Sequence, residues 1–344
     1  MFDLNQNIPL VLSLVFIIGG LVALSWSADR FVDSSARLAR AFGVSPLIVG
    51  MVIIGFGTSA PELAISVLSS LAHESNLSLG NAYGSCTFNI AAILGLSALV
   101  WPLKVKPAVT FFAVPLLLGV TALSYVLVRD MDFARCNGVI LLAAFAVIMP
   151  LYCWFDQMKG KDRKKEASPA AVEVAVPARP RPALKDFVLL VVGLVLLVVS
   201  SHLLVWGCVD FARDILHVSP LLIGLTIVAA GTSLPELASA IASARRHQHE
   251  FVIGNIIGSN LFNTLGVVGL AGTISPFRDF SPYIVSRDLP VMALLSLALG
   301  FFGLNWRKPL ASGRISRGEG AIWVAVFAVY WVVMILQETG HWPW

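Results

Sequence analysis

Two glutamates, Glu62 and Glu236, stand in otherwise apolar stretches, each one residue after a proline and among small oxygen-bearing side chains. The first run holds Gly57, Thr58, Ser59, Pro61 and Glu62; the second holds Gly231, Thr232, Ser233, Pro235 and Glu236. A proline within a helix has no N–H, and its ring opposes the carbonyl four residues back. Pro61 therefore takes the helical donor from the Gly57 carbonyl, and Pro235 does the same to Gly231. Carbonyls, hydroxyls and a carboxylate make an all-oxygen donor set, which suits a hard cation such as calcium or sodium and not a soft metal. At membrane depth a carboxylate costs at least about 2.5 kcal/mol on insertion scales. Freed carbonyls are costly there too, unless neighbouring groups, water or an ion satisfy them.

Downstream of each run, Ser85 with Asn89 and Ser259 with Asn263 are spaced i to i+4, so each pair projects from one helical face and can complete an oxygen cage. Asn81 and Asn255, about a turn earlier, can bind the kinked backbone or close the site toward water. A blander reading competes at each place. The glutamates can cap broken helices, and Ser85 and Ser259 can serve small-residue helix packing beside Gly84 and Gly258. The duplication favours the cation site: Thr58, Ser59, Glu62, Ser85 and Asn89 from one half, Thr232, Ser233, Glu236, Ser259 and Asn263 from the other.

The elements that must position these residues are membrane helices. With 57% hydrophobic and 13% charged residues, the chain carries more apolar surface than one soluble core of 344 residues can hide. Apolar runs of about twenty residues, the length that crosses a hydrocarbon core of roughly 30 Å, recur along it. They predict ten spans, near 8–26, 45–71, 77–100, 108–128, 134–155, 185–208, 219–243, 250–274, 284–304 and 319–337. A membrane barrel would need strict alternation, whereas Phe187 to Ser200 is apolar on every face. The first segment has Asp3 and no Lys or Arg before it, so it reads as a retained span rather than a secretory signal.

The chain repeats itself. VSPLIVG at 44–50 returns as VSPLLIG at 218–224, an offset of 174. The same offset superposes GTSAPELA at 57–64 on GTSLPELA at 231–238, and GSCTFN at 84–89 on GSNLFN at 258–263. Each half holds five spans, an odd number, so the halves enter the membrane in opposite senses. The expected fold is an all-α membrane protein of ten transmembrane helices in two inverted five-helix repeats, 1–156 and 185–344, joined by a basic, Pro-rich linker at 157–184. That plan recurs in secondary transporters, with the substrate site near the midplane where interrupted helices meet.

Charge sets the orientation. Arg30, Arg37 and Arg40, Lys104 and Lys106, the run from Lys159 to Lys185, Arg245 and Arg246, and Arg307, Lys308, Arg314 and Arg317 fall in alternate loops, which predicts those loops on the cytoplasmic side. The other set holds Arg129, Arg135, Arg213, Arg278 and Arg287, which predicts both termini outside. The linker's GKDRKKE and PARPRP read as a topology determinant rather than a nucleic-acid site. Asp29, Arg30 and Asp33, and likewise Asp210, Arg213 and Asp214, read as solvated ends of long helices, and His202 as a packing residue. Trp101, Trp154, Trp306, Trp323 and Trp342 read as an interfacial belt. Cys86, Cys136, Cys153 and Cys208 lack CxxC spacing or a His partner, so zinc and disulfides are not expected, nor any cofactor.

The motifs resemble the calcium/cation antiporter superfamily, and within it the sodium/calcium exchangers of prokaryotic type; the resemblance covers essentially the whole chain. It implies calcium held by Glu62 and Glu236 with the backbone carbonyls of Thr58 and Thr232. It also implies sodium sites that share these groups and use Ser59, Ser233, Ser85 and Ser259, and alternating access by sliding of the first and sixth helices. Two departures stand out. Asn89 and Asn263 occupy positions where family members often carry Asp, which argues against potassium coupling, and Cys86 stands where GSN would be usual. With two fixed carboxylates the site neutralises one calcium or two sodium ions, so exchange less electrogenic than three sodium per calcium is expected. The leading expectation is a calcium/sodium antiporter of a prokaryotic plasma membrane. A calcium/proton antiporter of the same fold is the alternative, since a carboxylate removed from water can carry a proton. A channel fits inverted repeats less well, and an enzyme lacks a nucleophile and base set.

Overall fold

A backbone that leaves water for lipid must satisfy its own hydrogen bonds, and this chain does so as helices. The computed structural model describes residues 10–42, 44–166, 184–214 and 229–338. The helices are α1 (Leu10–Phe42), α2 (Pro46–Thr58), α3 (Ala60–Leu71), α4 (Ser75–Val100), α5 (Val109–Val128), α6 (Arg135–Glu166), α7 (Leu184–Asp214), α8 (Leu234–Arg245), α9 (His249–Ile274), α10 (Ile284–Gly303) and α11 (Arg317–Glu338). Among the described residues eight helices are long and apolar enough to cross a membrane, and nine if the pair α2 and α3, bent by 46° at Ser59, is one span. The span expected at 219–243 is described only from Ala229, as a short helical piece, Ala229–Gly231, followed by α8. Residues 157–166 of the expected linker continue α6.

Two pairs of helices organise the fold, one at its side and one at its centre. α1 and α7 lie against each other along their lengths, and glycines let their backbones approach: a Cβ on Gly20 would stand 2.9 Å from Leu204 N, and one on Gly193 3.1 Å from Phe31 N. Arg37 Nε donates to Asp186 Oδ1 at 2.5 Å near one end of the pair, and Ser13 donates to Asp210 near the other. Asp210 is therefore 4% exposed, and not the solvated helix end expected, because α1 covers that face. Asp29 and Asp33 instead pair with Arg246 from the turn between α8 and α9. His202 lies on an exposed face of α7 rather than in packing.

α4 and α9 form the interior, with nearly every residue of α9 buried. Both carry a π-helical turn, Asn89–Ile93 and Phe262–Val267, and such turns are frequent at functional sites. α5 and α10 begin with matching π turns, Val109–Ala113 and Ile284–Asp288. Two short antiparallel pairs tie the halves together: β1 (Leu103–Val105) with β4 (Gly313–Ile315), and β2 (Asp132–Phe133) with β3 (Phe277–Arg278). α3 and α8 end alike, with His73 and His247 at φ 61° and 57°, a left-handed cap usually given to glycine. Trp323 is 2% exposed rather than interfacial, because α11 meets α4 at Gly320 and Gly95, where a Cβ would stand 2.9 Å from the opposite carbonyl.

Candidate cation site

The site is positioned by backbone contact between α2 and α9. Four glycines face one another there. A Cβ on Gly254 would stand 2.5 Å from Leu47 O, one on Gly258 2.2 Å from Met51 O, and one on Gly55 2.8 Å from Ser259 N. This approach brings Ser259 Oγ to within 3.2 Å of the Gly55 carbonyl, to which it donates. The Thr58 hydroxyl lies 2.9 Å from the Ile54 carbonyl of its own helix and 3.4 Å from Asn255 Oδ1, so it joins the helix end to the asparagine that holds the other break.

Helix breaks follow at Ser59 (φ −83°, ψ 10°) and Ser233 (φ −93°, ψ 11°), after which α3 and α8 resume with Pro61 and Pro235 at their second positions. Proline is favoured there because the N–H it lacks has no helical acceptor. Each break aims its serine at the glutamate of the opposite half. Ser59 Oγ donates to Glu236 Oε1 at 2.8 Å, and Ser233 Oγ donates to Glu62 Oε1 at 2.9 Å. Ser85 Oγ lies 3.2 Å from Ser233 Oγ and 3.5 Å from Glu62 Oε1. Both glutamates are buried, at 0% and 1% exposure, and the second oxygen of each has no hydrogen-bond partner among the described residues. Two carboxyl groups out of water, each with an oxygen to spare among the described residues, form an all-oxygen centre whose charge a cation can compensate.

Five asparagines frame this centre. Asn81 Nδ2 donates to the Glu62 carbonyl and to Ser66 Oγ, both at 3.0 Å, and Asn255 Nδ2 to the Glu236 carbonyl and Ser239 Oγ, both at 3.1 Å. These asparagines hold the broken backbone. Asn89 Nδ2 donates to Asn260 Oδ1 at 3.1 Å while its own Oδ1 is unpartnered among the described residues, as are both buried amide atoms of Asn263. Asn260 Nδ2 in turn donates to the Cys86 carbonyl at 3.3 Å. Cys86 and Asn260, matched by the offset of 174, thus touch each other where the repeats cross.

All ten residues singled out in the sequence are buried in the interior, Thr232 the most exposed at 7%. The serine–glutamate bonds form two sets, Ser59 with Glu236 and both Ser85 and Ser233 with Glu62, while Asn89 bonds instead to Asn260. A cavity of about 460 Å³ reaches Asn81, Ser85 and Thr232, with Glu74, Asn76 and Ser281 also among its described lining. The same cavity is lined by Arg287, Asp288 and Tyr330. Sequence reasoning counted Arg287 only as a loop charge; the adjacency of Arg287 to Asp288 beside an apolar span was the one signal that marked them.

The sequence pattern of the family described as "Sodium/calcium exchanger protein" matches residues 12–154 and 185–336. A putative antiporter, CaxA, of Alkalimonas amylolytica is 37% identical over 93% of this chain and 98% of its own length. Inner membrane protein YrbG of Escherichia coli is 35% identical over 96% of this chain and 100% of its own. A solved structure of the sodium-calcium exchanger NCX_Mj, soaked with zero Na+ and Ca2+, aligns with a TM-score of 0.77 at 29% identity, covering 95% of this chain and 99% of that one.

Proposed function

Because the chain belongs to the sodium/calcium exchanger protein family, we propose that it is a membrane antiporter that exchanges calcium for sodium by alternating access, with Glu62 and Glu236 as the shared cation ligands. The observation that carries this reading is the reciprocal bonding of Ser59 to Glu236 and Ser233 to Glu62, which leaves one buried oxygen on each carboxylate without a partner among the described residues. Those two oxygens, with the serine hydroxyls and the backbone at the two breaks, supply hard ligands for calcium or, alternately, for sodium. Competition for the same oxygens couples the two fluxes: either ion satisfies the carboxylates, and neither fits while the other is present.

The reading extends to the whole chain. Ten spans in two inverted repeats place the site at the midplane, with both termini outside a prokaryotic plasma membrane and the linker at 157–184 in the cytoplasm. Thr58 and Thr232 contribute backbone carbonyls, and Ser85, Ser259, Asn89 and Asn263 contribute oxygens to the sodium sites. With amides at Asn89 and Asn263, the fixed charge of the site balances one calcium or two sodium ions, so the exchange carries less net charge than a three-to-one ratio would.

The test is calcium-45 uptake into proteoliposomes with imposed sodium, potassium or pH gradients. Uptake driven by a sodium gradient is expected, and Glu62→Gln and Glu236→Gln are each expected to abolish it. Uptake driven only by a pH gradient would replace sodium with the proton. Normal uptake by either variant would remove the glutamates from the site. A reversal potential matching three sodium per calcium would overturn the charge count.

A further inference from the structure

We infer that Arg287 and Asp288 form a charge-compensated pair on the cation's approach to the site, and that the balance of their charges tunes how strongly cations are drawn toward Glu62 and Glu236. The inference rests on the proposed function, since it takes the cavity that reaches Ser85 and Thr232 as a path for ions.

The pair is built with care. Arg287 Nε donates to Asp288 Oδ1 at 2.6 Å and Nη2 to Asp288 Oδ2 at 3.3 Å, a two-point contact with side chains only 12% and 8% exposed. Tyr330 donates its hydroxyl to Asp288 Oδ1 at 2.9 Å, and Gln337 Oε1 accepts from Arg287 Nη1 at 2.8 Å. The guanidinium also lies 5.2 Å from the Tyr283 ring centre and 5.9 Å from that of Tyr330. A lone arginine in this place would repel every cation that approached, and a lone aspartate would attract and retain them. Held together, they cancel.

The fold itself does not call for these charges. The π turn Ile284–Asp288 that opens α10 has its counterpart in Val109–Ala113, which opens α5, and each is followed by a helix with proline at its second position. At the places of Arg287 and Asp288 that turn carries Phe112 and Ala113. The same local geometry is thus made with apolar side chains in one half, and the charged version occurs on the half whose turn lines the cavity.

Electrostatic control has a signature that packing lacks. In a potential set by one unbalanced charge, the local concentration of an ion scales exponentially with its valence, so the effect on calcium is the square of the effect on sodium. Asp288→Asn, which removes the negative charge beside Arg287, is expected to raise the half-saturating sodium concentration about threefold and that of calcium about ninefold. Arg287→Gln is expected to lower both in the same proportion, and the double variant to return both close to wild type. The measurement is calcium-45 and sodium-22 flux in proteoliposomes of defined orientation, with maximal rates determined separately, and repeated in raised choline chloride, which should shrink every shift. Shifts of the same sign in both single variants, a double variant as impaired as the singles, or a loss confined to maximal rate would overturn the inference. If Asp288→Asn yields no folded protein, the sign of the Arg287→Gln shift and the recovery in the double variant decide it. Wild-type protein without sodium-driven calcium uptake would refute the proposed function instead.

Discussion

Gly258→Ala tests whether backbone contact between α2 and α9 is what positions the site. The added Cβ would stand 2.2 Å from Met51 O and 2.5 Å from Met51 Cα, both backbone atoms that cannot rotate away, whereas ordinary contact begins at 3.4 Å. The helices must therefore separate by roughly 1 Å, since interiors are close-packed and have no slack to absorb the methyl. Such overpacking costs about 1–3 kcal/mol. The Ser259 bond to the Gly55 carbonyl, now 3.2 Å, would stretch past hydrogen-bond range and forfeit about 1 kcal/mol more. A displacement of that size in the residues around a working site also lowers turnover by on the order of a hundredfold. The assay pairs thermal unfolding in detergent with calcium-45 uptake, against Gly119→Ala as control, because a Cβ on Gly119 meets nothing within 4 Å. Gly258→Ala should unfold several degrees lower and transport poorly, while Gly119→Ala should match wild type. A Gly258→Ala protein with wild-type melting and uptake would refute the reasoning.

Three other outcomes follow from the same geometry. Ser59→Ala and Ser233→Ala each remove a hydroxyl donated to a buried carboxylate, and bonds to charged groups contribute about 1.5–3 kcal/mol. Each should weaken calcium binding by roughly 10- to 100-fold, read by isothermal titration, and by similar factors because the bonds are reciprocal; an unaffected partner would break the symmetry argument. Asn263→Asp places a third carboxylate where neither amide atom has a partner, and should move the reversal potential of exchange toward more sodium per calcium; an unchanged potential would separate Asn263 from the ion path. Asn255→Ala removes two bonds at 3.1 Å that hold the end of the break at Glu236, and should lower the unfolding temperature while leaving a reduced but measurable uptake. Full stability would mean that α8 holds its break without that asparagine.

Much of the architecture could be read from residue types and spacing, because those features report on local physics. Lengths of apolar sequence report the cost of exposing a backbone to lipid, and the run from Leu184 to Phe211 became one continuous helix for that reason. Pro61 and Pro235 lack an N–H wherever they stand, so an interruption of each helix between Gly57 and Glu62 and between Gly231 and Glu236 was legible, and the structure puts the breaks at Ser59 and Ser233. Periodicity could not tell which face of a helix another helix would cover. Asp210 and Trp323 each carry a polar atom and looked like solvent or interface residues, yet both are buried by a neighbour far away in sequence, α1 in one case and α4 in the other.

The two glutamates with their hydroxyls, the prolines beside them and their duplication at an offset of 174 were determined by the sequence itself, because covalent chemistry and helical period are properties of neighbouring residues. Tertiary structure alone decided that each serine bonds the glutamate of the other half, that the Thr58 hydroxyl reaches Asn255, that Cys86 meets Asn260, and that Arg287 with Asp288 lines the cavity. The approach of α2 to α9 is set by how closely their backbones meet at Gly55, Gly254 and Gly258. A distance between helices separated by some two hundred residues is set by packing in three dimensions, and no period along the chain encodes it.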